Sequence, residues 1–447
     1  MTDKIDAVNI MDSGDPIQTI KDSKHFCILP WIHLHAWPDD RVMPCCIADS
    51  AKPVAEYQSG MDIMEIMNSD EYKNMRKLML ADEPYSPCQR CYDLEKVGTW
   101  SLRISQNTQH TNRKRNDENV TDNLRMLANT NADGSIDEFK MKYMDIRFSN
   151  LCNFKCRSCG PGCSNLWGEE KIKLVDEGVW INRKGRDTLM SVNSDGTFME
   201  NLKPYLKDVQ EVYFAGGEIL IHPEHYECLD YWIENGMADK VRLNYTTNMS
   251  KIKYLDKVKG ERNLFDLWKH FPEIEMWASI DAIGKAGDMI RKGFRWERVK
   301  KNMFAIREQA PHLQLGFTPT ISLWNVWHYS EMFDWLYENK FCDIHNPPRL
   351  NMLTAPDWAN ISILPEKFRL ELMREFRLYY EKFPKPEDSN MNDTFKMIMM
   401  TLRNGEEDRD KLREFFKEND IMDKMRGEDL AETTPKLQEV REWIEKN

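Results

Sequence analysis

Asn150-Leu151-Cys152-Asn153-Phe154-Lys155-Cys156-Arg157-Ser158-Cys159-Gly160 holds three cysteines in a C-x3-C-x2-C pattern. With 11 cysteines among 447 residues, that spacing arises somewhere by chance with a probability of about 0.7%. Three thiolates on one loop suit a soft metal centre. They fill three corners of a [4Fe-4S] cube and leave the fourth iron open for chemistry. A structural zinc site needs four closed ligands, and Cys163, after Gly160-Pro161-Gly162, is the nearby candidate for a fourth.

Upstream of the motif lies a run with β character, Lys142-Tyr143-Met144-Asp145-Ile146-Arg147-Phe148. Similar runs fall near 210–215, 240–246, 274–280, 313–319 and 348–353, with helical stretches between them. Six strands alternating with helices predict parallel βαβ units, which close toward a barrel or open as a doubly wound sheet. The stretch 181–197, with Asn193-Ser194-Asp195-Gly196, reads as a loop inserted before the second strand. Beyond Leu364-Pro365 the chain is charged, and Phe368, Leu372 and Phe376 are spaced by four, so amphipathic helices are expected to Asn447. Before the barrel-like region, 101–140 is polar and aperiodic, including Asn112-Arg113-Lys114-Arg115-Asn116-Asp117, and reads as a linker or insertion. Residues 63–67 and 72–79 have helical apolar spacing. The expected division is therefore 1–100, a linker at 101–140, an α/β region at 141–360 and a helical extension at 361–447.

Over residues 141–355 the motifs resemble, in order, those of the radical S-adenosylmethionine (SAM) enzymes. Phe214-Ala215-Gly216-Gly217-Glu218 is similar to the family's GGE element. There Gly216 and Gly217 let the backbone approach SAM, and the carboxylate of Glu218 complements its ammonium. Asn244-Tyr245-Thr246-Thr247-Asn248 resembles the Thr-Asn element and Ser279-Ile280-Asp281 the Ser-x-Asp element, which implicates Asn248, Ser279 and Asp281. Arg291, in Met289-Ile290-Arg291-Lys292-Gly293, falls where a basic residue meets the SAM carboxylate. Strand ends of a parallel barrel gather such groups at one face. Ser158 stands where many members place an aromatic residue against adenine; Phe154 and the backbone around Met352 and Leu353 are the alternatives.

The remaining short-spaced cysteines lie near the N-terminus, in Cys27-Ile28-Leu29-Pro30-Trp31, Asp40-Arg41-Val42-Met43-Pro44-Cys45-Cys46 and Pro87-Cys88-Gln89-Arg90-Cys91. They resemble a twitch domain, the shortened relative of the SPASM domain that carries one auxiliary [4Fe-4S] cluster, here placed before the barrel. The family's Gly-x4-Cys element reads Asp40-x4-Cys45. The implied ligands are Cys27, Cys45, Cys88 and Cys91, with Cys46 turned away along an extended segment. A zinc knuckle on the same four thiols is the alternative. Cys228 and Cys342 have no partner at ligand spacing and read as buried thiols. His33 and His35 read as core or surface residues, or as donors to the auxiliary site; Trp31, Trp277, Trp296, Trp324 and Trp327 read as structural.

With 62 Lys and Arg against 74 Asp and Glu, the net charge is −12, which excludes a protein that coats nucleic acid. No run of 18 apolar residues occurs, and Met1 to Ile20 lacks a signal-peptide hydrophobic region, so a cytoplasmic protein without a membrane partner is expected. In sum the resemblance implies a partial (β/α)6 TIM-like barrel, with an N-terminal twitch-like iron-sulfur domain and a helical C-terminal extension. It further implies SAM, two [4Fe-4S] clusters and an electron donor of flavodoxin or ferredoxin type. SAM would be cleaved reductively to a 5'-deoxyadenosyl radical that takes a hydrogen atom from a substrate, and an auxiliary cluster favours oxidative modification, of a peptide. A dehydrogenase of a small sugar or amino alcohol is the alternative substrate class. A non-catalytic iron-sulfur or zinc protein, a redox sensor or scaffold, is the reading of a different kind.

Overall fold

A computed structural model describes residues 14–179, 189–384 and 391–447. The N-terminal cysteine segment contributes strands β1 (His33–Ala36), β2 (Arg41–Met43) and β3 (Ala55–Glu56). The α/β region follows with β4 (Tyr143–Ile146), β5 (Lys155–Cys156), β6 (Glu211–Phe214), β7 (Arg242–Thr247), β8 (Lys253–Asp256) and β9 (Gly260–Asn263). Next come β10 (Ile274–Ala278), β11 (Arg291–Lys292), β12 (Leu313–Phe317), β13 (Thr320–Ile321) and β14 (Asn351–Met352). All six expected strands form, as β4, β6, β7, β10, β12 and β14. The last shrinks to two residues, in keeping with Pro347 and Pro348 just before it, which offer no N–H to a ladder.

The chain divides into two compact units. The first takes the described residues up to Ser149, with Met190–Ala215 and Pro223–Leu243. There β4 lies parallel to β6 on one side, Tyr143 opposite Glu211, and to β1 on the other, Tyr143 opposite His33. β2 returns antiparallel beside β1, and β3 beside β2. β1 is a strand that the N-terminal sequence did not announce, because its four residues, His33-Leu34-His35-Ala36, are all buried and show no alternation.

The stretch 101–140 is not a linker. It forms the helices Leu102–His110 and Asp117–Ala128, capped by Ser101 and Asn116, whose side chains accept from the N–H groups of Ile104 and Asn119. The buried face of the first is Arg103, Gln106, Asn107 and His110, a helical spacing written in polar residues. Their burial is tolerated because they are bonded. Asn107 accepts from Ile28 N at 2.9 Å and donates to Phe26 O at 2.9 Å, and Gln106 meets His110 at 3.1 Å. Residues 181–188 of the expected loop at 181–197 lie outside the described residues; its end forms a turn before the helix Thr197–Leu202, where Gly196 has φ +82°.

The second unit takes the described residues of Asn150–Leu189, with Gly216–His222 and Asn244–Asn447. β10 and β12 are parallel, Ile274 opposite Leu313, and Ser279 N donates to Thr247 O at 2.9 Å at the end of β7. β8 and β9 form an antiparallel hairpin. The expected C-terminal helices run Glu366–Tyr380, Met391–Arg403, Arg409–Arg426, Leu430–Thr433 and Pro435–Lys446. Helix Arg409–Arg426 buries Leu412, Phe415, Phe416 and Met422, and Phe415 packs on Trp324 and Trp358. Among the described residues no helix is long and apolar enough to cross a membrane.

Candidate metal centres

The motif loop of the second unit is held from several sides. Two of its residues, Lys155 and Cys156, pair with Lys292 and Arg291 in the β5–β11 ladder. Gly293, with φ +105°, lies so close that a Cβ there would stand 2.7 Å from Asn153 O, so the adjoining chain needs glycine. Cys152 N donates to Asn165 Oδ1 at 3.1 Å, and Ser164 Oγ to Phe154 O at 2.7 Å. Burial pushes the Cys152 thiol up to about 12. Cys156, donating to Cys159 and buried, is held well above its ordinary value. Such thiols stay protonated until a metal takes the proton's place.

Arg157, inside the motif, is fully buried. Its Nη1 donates to Asn419 Oδ1 at 2.6 Å, while Nη2 pairs with Asp423 and, at 2.8 Å, with Glu428. Lys292 adds a second bond to Glu428 at 2.8 Å. The C-terminal helices thereby grip both strands of the β5–β11 ladder.

The strand-end groups converge on the same loop. Gly216 and Gly217 have φ of +90° and +49°, a left-handed turn that favours glycine. It carries Glu218 N to within 2.8 Å of Leu151 O, one residue before Cys152. The Glu218 carboxylate is 1% exposed. It accepts from Thr247 Oγ1 at 2.5 Å, Asn248 N at 2.7 Å and Leu220 N at 3.2 Å. Burial nevertheless holds its pKa above the ordinary value. Asn248 Nδ2 donates to Asn153 Oδ1 at 2.9 Å, returning to the motif.

On the other side Arg291 Nε meets Asp281 Oδ2 at 2.8 Å, and its Nη1 lies 3.8 Å from Cys156 Sγ. Burial opposes this charge, but Asp281 and Cys156 more than offset it, and the guanidinium is held above its ordinary value. Asp281 is held in turn by Thr320 N at 2.9 Å. Ser279 sits half-buried beyond the end of β10. Glu218, Asn248, Asp281 and Arg291 are thus each linked to the motif by hydrogen bonds or strand pairing. Phe154 is not available to stack on a ligand, since it is 1% exposed and packs edge-on against Phe294. Sequence inspection missed Arg157 and Asn325, which donates to the Asp281 and Thr320 carbonyls at 3.0 Å each. Neither belongs to a spaced motif, so only the folded chain reveals them.

In the first unit a cavity is lined by the thiols of Cys27, Cys45, Cys88 and Cys91, with Leu29, Ile47, Ala48, Leu102 and Arg103. Burial raises Cys27 and Cys45 to about 12, and Cys88 and Cys91 are raised by the same cause. Backbone N–H groups of Leu29, Ile47 and Arg103 face Cys27, Cys45 and Cys91, and Ser101 adds a hydroxyl to Cys91. Four soft donors, N–H groups aimed at sulfur and a nearby guanidinium fit an anionic iron-sulfur cluster. Cys46 does not line this cavity; it lies beside Asp145 and Arg147.

Behind it, His33, His35 and Asp145 come within metal-binding reach of one another. Their hydrogen bonds argue otherwise. Trp37 Nε1 can only donate, at 2.7 Å to His35 Nε2, so His35 Nδ1 carries the proton and gives it to Asp145 O at 2.7 Å. His35 keeps no lone pair for a cation.

Residues 27–92 match the SPASM family, an iron-sulfur cluster-binding domain. The matched stretch contains Cys27, Cys45, Cys88 and Cys91, the four thiols that line the cavity. Among solved structures, the chain is similar to native anSMEcpe with bound AdoMet and a Cp18Cys peptide. Identity is 15% over 53% of this chain and 59% of that one, with a TM-score of 0.35. Hexahistidine-tagged anSMEcpe with bound AdoMet gives 15% over 55% and 59%, TM-score 0.37. TYW1 with a lysine-pyruvate adduct bound gives 15% over 56% and 75%, TM-score 0.28. The chain therefore spans 59% of the length of both anSMEcpe structures. No curated protein matches it.

Proposed function

We propose that this chain is a radical SAM enzyme that cleaves S-adenosylmethionine reductively and abstracts a hydrogen atom from its substrate, for the oxidative modification of a peptide. One observation carries the proposal. The loop of Cys152, Cys156 and Cys159 is joined to a buried carboxylate through the Leu151–Glu218 bond and to a buried guanidinium through the Cys156–Arg291 pair. A carboxylate and a guanidinium complement the ammonium and carboxylate of an α-amino acid, and SAM carries both.

Cys152, Cys156 and Cys159 would hold a [4Fe-4S] cluster by three corners, with SAM at the fourth iron. Cluster and SAM, when bound, supply one electron and the 5'-deoxyadenosyl radical. The chain's own residues bind and orient. Gly216 and Gly217 bring the backbone close, Thr247 and Asn248 aim Glu218, Asp281 sets Arg291, and Ser279 completes the strand-end row.

Cys27, Cys45, Cys88 and Cys91 would hold a second cluster, which would supply an electron acceptor and so favour net oxidation. An electron donor of flavodoxin or ferredoxin type would serve the first cluster. The decisive experiment is anaerobic reconstitution followed by dithionite and SAM. Equal amounts of 5'-deoxyadenosine and methionine are expected, and none from the Cys152→Ala variant. A fully iron-loaded wild type that forms no 5'-deoxyadenosine overturns the proposal in favour of a sensor or scaffold.

A further inference from the structure

The hairpin β8–β9 leaves the second unit directly after Ser250, and Ser250 is tied to the motif loop. Asn153, next to Cys152, donates from Nδ2 to Ser250 Oγ at 2.8 Å. Asn302 anchors the same root by donating to Met249 O at 2.7 Å. The hairpin is held together by its own ladder, Lys253 opposite Asn263 and Asp256 opposite Gly260.

Its surface differs from the rest of the chain. Residues 251–262 carry five basic side chains against two acidic ones, a local +3 within a chain of −12. Both acids are engaged. Glu261 pairs with Lys253 at 2.7 Å, and Asp256 caps the turn through Val258 N and Lys259 N at 2.8 and 2.9 Å. Lys251, Lys257 and Lys259 remain exposed around two apolar side chains, Leu255 at 75% and Val258 at 92% exposure. The helix Trp296–Gln309 extends the basic patch, with Arg298 and Lys301 exposed, and Arg298 shares a cleft of about 370 Å³ with Lys251, Lys253 and Leu255. A small apolar centre with a charged rim is the make-up of a transient protein interface.

We propose that this hairpin is the docking surface for an acidic electron-transfer protein that reduces the centre at Cys152, Cys156 and Cys159. The inference deepens the proposed function and rests on it. One electron leaves the reduced donor and enters the oxidised cluster; no atom is transferred and no bond is made. Position favours this partner over a nucleic acid or a membrane, because the hairpin root is hydrogen-bonded to the cysteine loop and an incoming electron must reach that loop. Charge adds the steering that a short-lived encounter needs.

The test compares wild type with a Lys257→Glu, Lys259→Glu double variant and, separately, with Leu255→Ser, all at exposed positions of the hairpin. Reconstituted protein is assayed for 5'-deoxyadenosine with reduced flavodoxin and, in parallel, with dithionite, which needs no docking site. Loss of charge complementarity should raise the KM for flavodoxin by about tenfold or more, in a salt-dependent way, and leave the dithionite rate within about twofold. An unchanged flavodoxin KM overturns the proposal, as does an equal loss with both reductants, which would make the hairpin a support of the SAM site. If wild type forms no 5'-deoxyadenosine even with dithionite, the proposed function fails. Titration with oxidised flavodoxin then decides docking by itself, with weaker binding by the double variant expected. Binding of an RNA oligonucleotide or of phosphatidylserine vesicles, without binding of flavodoxin, overturns it.

Discussion

Cys45 and Cys46 are neighbours in sequence that face different surroundings, one toward three other thiols and the other toward Asp145 and Arg147. Cys45→Ala should therefore lose the N-terminal cluster, whereas Cys46→Ser should keep it; iron content and Mössbauer spectra of both in a background lacking the three motif cysteines would show this. The Gly-x4-Cys resemblance pointed to Cys45, but the alternation expected from Arg41-Val42-Met43 does not reach the pair, because β2 ends at Met43 and the two cysteines stand in a bend and a turn. Glu218→Ala should weaken SAM binding by about 1.5–3 kcal/mol, the worth of a charge-assisted hydrogen bond, with the cluster spectrum unchanged. An equal affinity by calorimetry would remove Glu218 from the site. Two histidines make the fold sensitive to acid. Burial lowers His33 to about 4 and His110 to about 3. Between those values and the ordinary 6.5 the unfolded chain binds protons that the folded chain refuses. Stability is then full above 6.5 and falls on acidification by roughly 1.4 kcal/mol per pH unit for each histidine. Denaturant midpoints at pH 7 and pH 5 measure the loss, and His110→Asn should flatten the slope.

At the scale of elements, the grip of the C-terminal helices on the motif loop passes through one side chain. Arg157→Ala leaves Asp423 without its cation and Glu428 with Lys292 alone, and removing one partner of a buried pair costs about 3–5 kcal/mol. The variant should lose iron from the centre at Cys152, Cys156 and Cys159 and keep the N-terminal cluster; retention of both at full occupancy would make the contact incidental. Gly316 is similarly constrained, since a Cβ there would lie 2.4 Å from the Trp277 ring. Gly316→Ala should cost about 1–3 kcal/mol of stability by overpacking, read from the denaturation midpoint. The strands were legible because Tyr143-Met144-Asp145-Ile146 or Ile274-Glu275-Met276-Trp277 are β-rich runs bounded by breakers. Leu102–His110 was not, because its inward face is polar and its partners, Phe26 and Ile28, lie some 80 residues away in sequence. Arg157 went unnoticed for the same reason, its partners standing at 419, 423 and 428.

For the molecule as a whole, two cubane clusters correspond to about eight irons and eight sulfides per chain. Replacing Cys152, Cys156 and Cys159 together should leave about half; a full load in that variant would refute the assignment of the motif. The three motif cysteines stood out by spacing and the four N-terminal ones by resemblance to a twitch domain, while the division into units was not legible, because each unit is assembled from three separate stretches of chain. The clamp on Arg157 sets a schedule for biosynthesis. Asn419, Asp423 and Glu428 are translated 262, 266 and 271 residues after the arginine they hold. At about 5–20 residues per second the ribosome needs roughly 15 to 50 s to cover that distance. For that interval the three motif thiols are already outside the tunnel with their loop unbraced, open to oxidation and to the wrong metal. Factors that would deliver iron and sulfide to the motif would then either guard a nascent chain or wait for residues 419–428, whereas the thiols at 27, 45, 88 and 91, all translated before the motif, need no part of that clamp.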